Sequence, residues 1–551
     1  MVNVGYTASG VPVLSAVVVK SAVMIERVPR AVEDSQAGVA MIGRFWRRAP
    51  WWMAGGVAVL ALFDLQFGIA GKALSLFAIA IGLSGVLVAP LADAMLLAIA
   101  VALFPGDAPL FGVTLALLYR AARSRSLGFD GSLRSMLLFG FFISAVGSAL
   151  FGMIAVEARP LQWFVWMVTS GAPLLLLGAA FLRLPYQFAP LLMRFLVFVL
   201  WLQVPVSAAQ YARLADLQIA DWYTGTWDNA NLLGLWAAIA LSVCGVRLLT
   251  ATTPLQGMRS WIVAGSHVAA ATYLVWGASA KLYSAAMFGA AGLVTMMLFV
   301  AGSGISRTGT ALRAGLAILA ILLMGVLAES WVRDNVEGFI SNMEGSGKLV
   351  LLTRVVVGVA ERYNSVLGVG PGMLGSRAAS VASGDVLYKE TEGALAGFLG
   401  PAPKPERWAM YGLWDADVVQ DVMYKSALLT MPFSGWLSVR AELGWPAVIL
   451  LIFYFISLGR QMASIAARHP GVRSIGIAAA VGCVGVLPIL FFDNILEQPH
   501  IMLPLAILVI TARGAAAGLV KGTLATASGR LPALQSPADH PPHSSLTRGR
   551  P

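Results

Sequence analysis

The chain has 551 residues, of which 58% are hydrophobic and only 12% are charged, whereas soluble globular proteins carry about 25% charged residues. Apolar runs recur along it, and many approach the roughly 20 residues that a helix needs to cross a bilayer. The composition therefore excludes a soluble enzyme and predicts an all-α polytopic membrane protein with about 12–14 transmembrane helices.

The formal net charge of +11 has a topological explanation. Basic residues cluster in the short loops between apolar runs, as they do on the cytoplasmic side of membrane proteins, so no nucleic-acid partner is predicted. The two cysteines, Cys244 and Cys483, each lie inside an apolar run. They indicate neither a disulfide framework nor a metal site, and we predict no cofactor.

In chain order, we predict a cytoplasmic N-terminal segment over 1–50, transmembrane helices over 51–330 and a large, partly helical periplasmic loop over 331–440. Further transmembrane helices follow over 441–518, and a disordered cytoplasmic tail rich in proline and serine occupies 519–551. The candidate spans are 51–71, 73–90, 91–104, 107–119, 134–156, 161–183, 186–208, 230–249, 261–280, 283–301, 314–330, 441–459, 474–492 and 499–518.

One topology satisfies all the basic clusters. The number of spans between successive clusters is even each time, so both termini are predicted to be cytoplasmic and the 331–440 loop to lie outside. The pair 91–104 and 107–119 is short for two ordinary spans, which leaves tilted helices, re-entrant helices or a wrong count of spans as alternatives.

The long loop is the predicted place of function. Residues 349–367 read as a helix that carries Arg354 and Arg362, and Gly368-Val369-Gly370-Pro371-Gly372 ends it. No Gly-Lys-Ser/Thr follows these glycines, so they are not a nucleotide-binding P-loop. The loop contains no histidine, which excludes a Ser-His-Asp triad or a histidine zinc site within it.

Basic residues on the predicted outer face suggest an anionic partner, because arginine binds phosphate through a two-pronged fork. Lys281 stands at the junction between two spans, where it is either an interfacial anchor or a cation aimed at a membrane-borne phosphate. The outer-face basic residues are Arg213, Lys281, Arg333, Lys348, Arg354, Arg362, Arg377, Arg407 and Arg440.

Four segments, in consistent order over about 225–460, resemble the superfamily of O-antigen polymerases and O-antigen ligases. Gly225-Thr226-Trp227-Asp228-Asn229-Ala230-Asn231 is similar to the family's glycine and asparagine at the start of a span, and Ala278-Ser279-Ala280-Lys281 to its serine-cation pair. Arg354 with Leu367-Gly368-Val369-Gly370-Pro371-Gly372 resembles its arginine helix and Gly-rich turn. Ala441-Glu442-Leu443-Gly444 is similar to its return into the membrane.

The resemblance implies a membrane glycosyltransferase at the periplasmic face of the bacterial inner membrane, acting on glycans linked to undecaprenyl diphosphate. A polymerase of lipid-linked O-antigen or exopolysaccharide repeat units is the expected function. The lipid bilayer, a flippase and a chain-length regulator are the expected partners, with no metal or other cofactor. The residues expected to act are catalytic Lys281, Arg354 and Glu442, and substrate-binding Asn231, Arg362, Gly368, Gly370, Gly372 and Arg377.

Two alternatives stay open at this point. One is a ligase that transfers finished polymer to lipid A core or another acceptor; the ligases place a histidine-asparagine pair where this chain has Phe433-Ser434, which favours the polymerase. The other is a polysaccharide transporter or flippase, a class that often shows internal repeats and charged groups in mid-membrane. The chain shows no such repeat and few charges within its spans.

Overall fold

The structure, a computed structural model, describes residues 43–63, 69–124, 131–179, 184–185, 187–214, 223–227, 229–249, 258–278, 281–301, 353–363, 366–376, 378–379, 404–410, 435–491 and 493–527. Its regular secondary structure within these residues is helical. Eight of the described helices are long and apolar enough to cross a membrane. The chain is thus a multi-pass helical membrane protein, as its composition predicts.

The first four helices include a short pair. Helix α1 covers residues 43–62 and α2 covers Ile69–Val88, whereas α3 (Leu91–Val101) and α4 (Ala108–Arg123) are shorter. At 1.5 Å per residue α3 and α4 are about 17 and 24 Å long, less than the roughly 30 Å hydrocarbon core. Arg120, near the end of α4, donates hydrogen bonds to carbonyls at the end of α2, just before α3 begins. The two helices therefore form an antiparallel hairpin in which the start of α3 and the end of α4 lie together.

Helices α5 to α8 follow the apolar runs closely: α5 is Leu133–Ala155, α6 is Pro160–Gly178, α7 is Phe188–Leu214 and α8 is Ala230–Leu249. Helix α6 contains one turn of π-helix, Met167–Gly171. An apolar stripe on α5 is exposed at intervals of three or four residues, as expected of a helix that faces lipid on one side. It consists of Met136, Phe139, Ile143, Val146, Leu150 and Ile154.

The remaining helices are α9 (Met258–Gly277), α10 (Lys281–Val300), α11 (353–362), α12 (Lys404–Met410), α13 (Gly435–Arg468), α14 (Arg473–Ile489) and α15 (Pro499–Ala527). Helix α13 begins inside the predicted loop, and α15 continues beyond residue 518, where its apolar pattern ends. The predicted span 314–330 lies outside the described residues, as do 528–551 of the predicted tail.

The core of the bundle is formed by α14 and α15, the most buried of the candidate spans. Helix α13 packs against α14 and α5, and α10 and α8 also contact α14. The start of α13, the end of α14 and the start of α15 lie together at one end of the bundle, which we call the turn end because residues 366–376 lie there. The opposite end, where Arg134, Arg460 and Arg468 lie, is the arginine end.

Candidate functional site

A break in α13 creates the binding surface for the Gly-rich turn, residues 366–376. Gly444 has φ 80° and ψ −178°, outside the helical region, and Pro446 follows two residues later. Proline has no N–H and clashes with the carbonyl four residues before it, which here is that of Glu442. The carbonyls of residues 441–443 therefore lack helical partners and must find others.

The Gly-rich turn provides those partners. Val369 N donates to the Ala441 carbonyl at 2.9 Å, and Gly370 N donates to the Glu442 carbonyl at 3.0 Å. Two serines of α5 complete the set: Ser148 Oγ also donates to the Glu442 carbonyl, and Ser144 Oγ donates to that of Leu443. Two segments far apart in the sequence, each singled out by the motif resemblance, thus form a single hydrogen-bonded unit.

Glycine is required in this unit because the backbones touch. Gly368 has φ +76°, and a Cβ atom at this position would lie 2.5 Å from the Ala441 carbonyl oxygen. A Cβ atom at Gly444 would lie 1.6 Å from the Val366 carbonyl oxygen. Gly372, with φ +78°, faces the Gln162 carbonyl at 2.6 Å in the same way. These positive φ values and close approaches are those that only glycine adopts without strain.

The Glu442 side chain fastens the second half of the turn. Its carboxylate is buried, with the residue 1% exposed, and Oε1 accepts hydrogen bonds from Leu374 N at 3.0 Å and Ser376 Oγ at 2.6 Å. Ser438, one helical turn earlier, donates to the Gly375 carbonyl at 2.8 Å. The geometry gives Glu442 a positioning role; its predicted role as a base stays a prediction.

Arg440 is the unusual cation of the site. It is 3% exposed, and within the described part of the chain its Nε and Nη1 atoms have no hydrogen-bond partner. Its guanidinium lies 5.1 Å from the centre of the Trp445 ring, a cation–π contact that contributes about 0.5–2 kcal/mol. Removing an ion from water costs several kcal/mol, so this contact compensates only part of the cost. The arrangement suits a group that binds an anion.

A second polar segment, residues 493–498, packs beside the start of α13. Gly435 N donates to the Asp493 carbonyl at 3.2 Å, and the Asp493 carboxylate accepts from Tyr283 Oη at 2.9 Å and Gln498 Nε2 at 2.8 Å. Tyr283 belongs to the first turn of α10, which Lys281 begins. The backbone at Lys281 therefore lies at the turn end, close to the start of α13.

Glu497, from the same segment, is a second buried carboxylate. It accepts from Ser170 Oγ at 2.7 Å and from Asn494 Nδ2 at 2.8 Å. Ser170 belongs to the π-turn of α6, and such turns are frequent at functional sites. Two buried carboxylates on neighbouring segments give the turn end a polar interior.

Helix α11 covers the Gly-rich turn from outside. Val355 and Val359 pack in one apolar cluster with Val369, Leu374 and Ala441. Arg354 begins the π-turn of α11, is partly buried, and donates from Nη1 to the Ala409 carbonyl of α12 at 2.6 Å. The predicted Arg354 helix, Gly-rich turn and Glu442 are thus neighbours in the structure.

Aromatic and ionic contacts hold α12 in place. The exposed Arg362 guanidinium lies 5.6 Å from the centre of the Trp408 ring, and burial raises the pKa of the adjacent Tyr363 phenol. Lys404 pairs with Glu157, in the connection between α5 and α6, at 2.8 Å. The hydrogen bond from Lys404, reinforced by its charge, holds the pKa of this exposed carboxyl below its usual value.

Two further predicted site residues, Asn231 and Arg377, are not joined to Glu442 or Arg440 by the contacts that the structure describes. Asn231 is exposed in the first turn of α8, which lies at the turn end because Trp236 Nε1 donates to the His500 carbonyl. None of the described contacts joins Asn231 to Glu442 or Arg440. Arg377 lies outside the described residues.

Sequence reasoning missed two parts of the site. In the sequence, Arg440 is only one of several predicted outer-face cations, and residues 493–498 lie between two candidate spans without a predicted role. A usable signal for the second part existed: Asp493, Asn494, Glu497, Gln498 and His500 form a dense polar run between two apolar spans. Charged groups at such positions in membrane proteins are costly and are commonly functional.

The fold and site define a polytopic helical membrane protein with a buried cation and two buried carboxylates at one end. No protein-family model matches the chain, and no curated protein matches it. Its function is therefore inferred from the geometry of the site together with the motif resemblance.

Proposed function

We propose that the protein polymerises lipid-linked oligosaccharide repeat units at the periplasmic face of the bacterial inner membrane. The turn end faces the periplasm, both chain termini face the cytoplasm, and the donor is a glycan on undecaprenyl diphosphate. The resemblance of four ordered segments supports this function, and so does the packing of two of them, residues 368–372 and 441–444, against each other.

The proposed reaction is a single glycosyl transfer. A hydroxyl oxygen of the acceptor unit bonds to the anomeric carbon of the donor glycan as the bond from that carbon to the diphosphate oxygen breaks. The bonding electrons remain on the departing lipid diphosphate, and the hydroxyl proton is released to the medium. Negative charge grows on the diphosphate, so the main task of the protein is to stabilise that charge in a partly dry site.

The buried Arg440 guanidinium carries the proposal. Its Nε and Nη1 atoms lack partners in the described part of the chain, and each of these nitrogens can donate to an oxygen of a phosphate group. Burial strengthens such a contact because water screens it less. An arginine so placed binds an incoming diphosphate without first breaking a hydrogen bond with those two nitrogens.

Lys281 and Arg354 remain the proposed catalytic cations, with Arg362, Arg377 and Asn231 as substrate-binding groups. Lys281 begins α10 at the turn end, and Arg354 lies on the helix that covers the Gly-rich turn. In this proposal Gly368, Gly370 and Gly372 shape the floor of the site, and Glu442 holds the turn in place by its bonds to Leu374 and Ser376.

An apolar cleft offers room for part of the polyprenyl chain. It lies between α7, α8, α9, α10, α14 and α15, and its lining is almost entirely apolar, with Leu200, Val243 and Leu505 among its walls. Gln203 and Trp227 lie towards its turn end, and Arg247 and His267 towards the other. A lipid tail in this cleft would leave its diphosphate at the turn end.

Arg440→Met tests the proposal, since methionine keeps much of the side-chain volume but removes the charge. We expect chain extension to fall by about 10²–10³-fold, as for other lost electrostatic donors. We expect the unfolding midpoint of the ligand-free protein to stay the same or rise, because an apolar side chain in place of a buried charge is often neutral or stabilising. A purely structural arginine would instead leave a destabilised protein.

The readout is the length of lipid-linked glycan made by a strain whose only copy of the gene is the variant. Arg123→Gln is the matched control, because Arg123 is an exposed cation in the last turn of α4, at the arginine end. Lys281→Ala and Arg354→Ala should also abolish chain extension while the protein still inserts. Normal-length polymer from the Arg440 variant would reject the role of Arg440, and normal polymer from all three would reject the site.

A further inference from the structure

The arginine end contains a second concave site that the proposed reaction does not use. A cleft of about 450 Å³ lies between the start of α5 and the last turns of α13, and we call it the basic cleft. This volume is within the range of small-ligand sites, about 300–1,000 Å³. Its polar lining consists chiefly of Arg134, Ser457, Arg460, Ser464, Arg468 and His469.

The cleft gathers basic side chains. Three arginines and a histidine line it, and no carboxylate is found among its described lining residues. Ser457, Ser464 and Arg468 recur at helical spacing on one face of α13, and Arg134 approaches them from the first turn of α5. Like charges that share a cleft repel one another, so an anion placed between them would be stabilised by all of them.

Topology alone does not explain this arrangement. The tendency of basic residues to remain on the cytoplasmic side requires cations near the ends of spans, but it does not require them to converge on a hollow lined with hydroxyl groups. Arg123 shows the difference, because it lies at the same end of the bundle, exposed and outside the cleft. Convergence of four basic groups with two serines is the composition of a phosphate-binding site.

Neighbouring apolar side chains indicate a lipid as the source of the phosphate. On α13, Phe453 and Ile456 are 56% and 40% exposed, just before the lining residue Ser457. The basic cleft therefore borders directly on surface that faces acyl chains, as basic pockets between transmembrane helices do when they bind anionic headgroups.

We propose that the basic cleft binds the phosphate headgroup of an anionic phospholipid in the membrane leaflet at the arginine end. The headgroup lies between the arginines, and the acyl chains of the lipid lie along the exposed apolar residues of α13. This proposal is independent of the reaction proposed for the turn end, because it uses different residues on the opposite side of the membrane.

The test uses the purified full-length protein in lipid nanodiscs made either of phosphatidylcholine alone or of phosphatidylcholine with phosphatidylglycerol. Retained lipids are counted by native mass spectrometry, and the unfolding midpoint is measured in parallel. We expect phosphatidylglycerol to be retained and to raise the midpoint. Arg460→Gln and Arg468→Gln should each weaken retention by about fivefold, which corresponds to the contribution of one basic residue at an anionic surface.

Two controls test whether the bound ligand is a lipid headgroup and whether it binds in the basic cleft. Arg123→Gln removes a cation from the same end of the bundle but outside the cleft, and we expect it to retain the lipid as the wild type does. Inorganic phosphate is added to the phosphatidylcholine nanodiscs as a soluble source of the same chemistry, and we expect no rise in the midpoint. Equal loss in the Arg123 variant, or a rise with phosphate alone, would overturn the assignment to a lipid headgroup.

Discussion

Replacing Glu442 separates two roles for its carboxylate, fastening the Gly-rich turn or accepting a proton. In Glu442→Ala, Leu374 N and Ser376 Oγ lose their common acceptor in an enclosed site. A buried donor left without a partner costs about 1–3 kcal/mol, so the pair costs about 2–6 kcal/mol, and the cavity adds to this loss. In Glu442→Gln the amide oxygen still accepts both bonds, so we expect a loss of about 1 kcal/mol or less.

Thermal unfolding of the purified variants in detergent measures the difference, and hydrogen exchange across residues 366–376 locates it. The alanine variant should unfold at a lower temperature and exchange faster in this segment, whereas the glutamine variant should match the wild type in both. An alanine variant with unchanged stability and protection would refute the hydrogen-bond reasoning. A stable glutamine variant that makes no polymer would show instead that Glu442 is the base.

Three further predictions follow from the packing at the turn end. Gly444→Ala places a Cβ against the Val366 carbonyl at a positive φ, so we expect the turn to lose its protection from hydrogen exchange; retained protection would contradict the proposed docking. Tyr283→Phe and Asp493→Ala should couple by about 1.5–3 kcal/mol in a double-mutant cycle of unfolding, whereas additive losses would show that their bond contributes nothing. Trp227→Phe removes the indole donor to the tip of the α3–α4 hairpin, which should cost about 1 kcal/mol in unfolding free energy; an unchanged midpoint would argue against this bond.

Much of the helical framework could be predicted from the sequence because lipid imposes a simple rule on it. A helix in hydrocarbon satisfies its own backbone groups and needs about 20 apolar residues. Helix α8, predicted over 230–249, has those bounds in the structure, and α5 and α10 differ from their predicted limits by one or two residues. Local composition alone is enough to place these elements.

The prediction fails where tertiary contacts satisfy polar groups. Helix α13 begins at Gly435 rather than at the predicted residue 441, because carbonyls just after α14 accept from its first N–H groups. The charge of Arg440 placed the predicted boundary after that residue. The partners of Glu497 and Asp493 include Ser170 and Tyr283, which are hundreds of residues away. Nothing in a local window of sequence reports such contacts.

Segments that the motif resemblance singled out are neighbours in the structure. The packing of α11 and the Gly-rich turn against residues 441–444 brings Arg354 and Glu442 into one region, as expected from segments that act together. The importance of Arg440 required the structure, because an arginine near a predicted span boundary is ordinary. Only its burial and the missing partners of Nε and Nη1 among the described residues distinguish it from the other outer-face cations.

The central claim is that the turn end binds the diphosphate of a polyprenyl lipid through Arg440. The most direct measurement is the rise in unfolding midpoint that undecaprenyl diphosphate causes in the purified protein, with undecaprenol as the comparison that lacks phosphate. A ligand stabilises the state that binds it. We therefore predict that undecaprenyl diphosphate raises the unfolding midpoint of the wild type more than undecaprenol does. For Arg440→Met we predict that the two lipids raise the midpoint equally. The same excess for the diphosphate in both proteins would contradict the account.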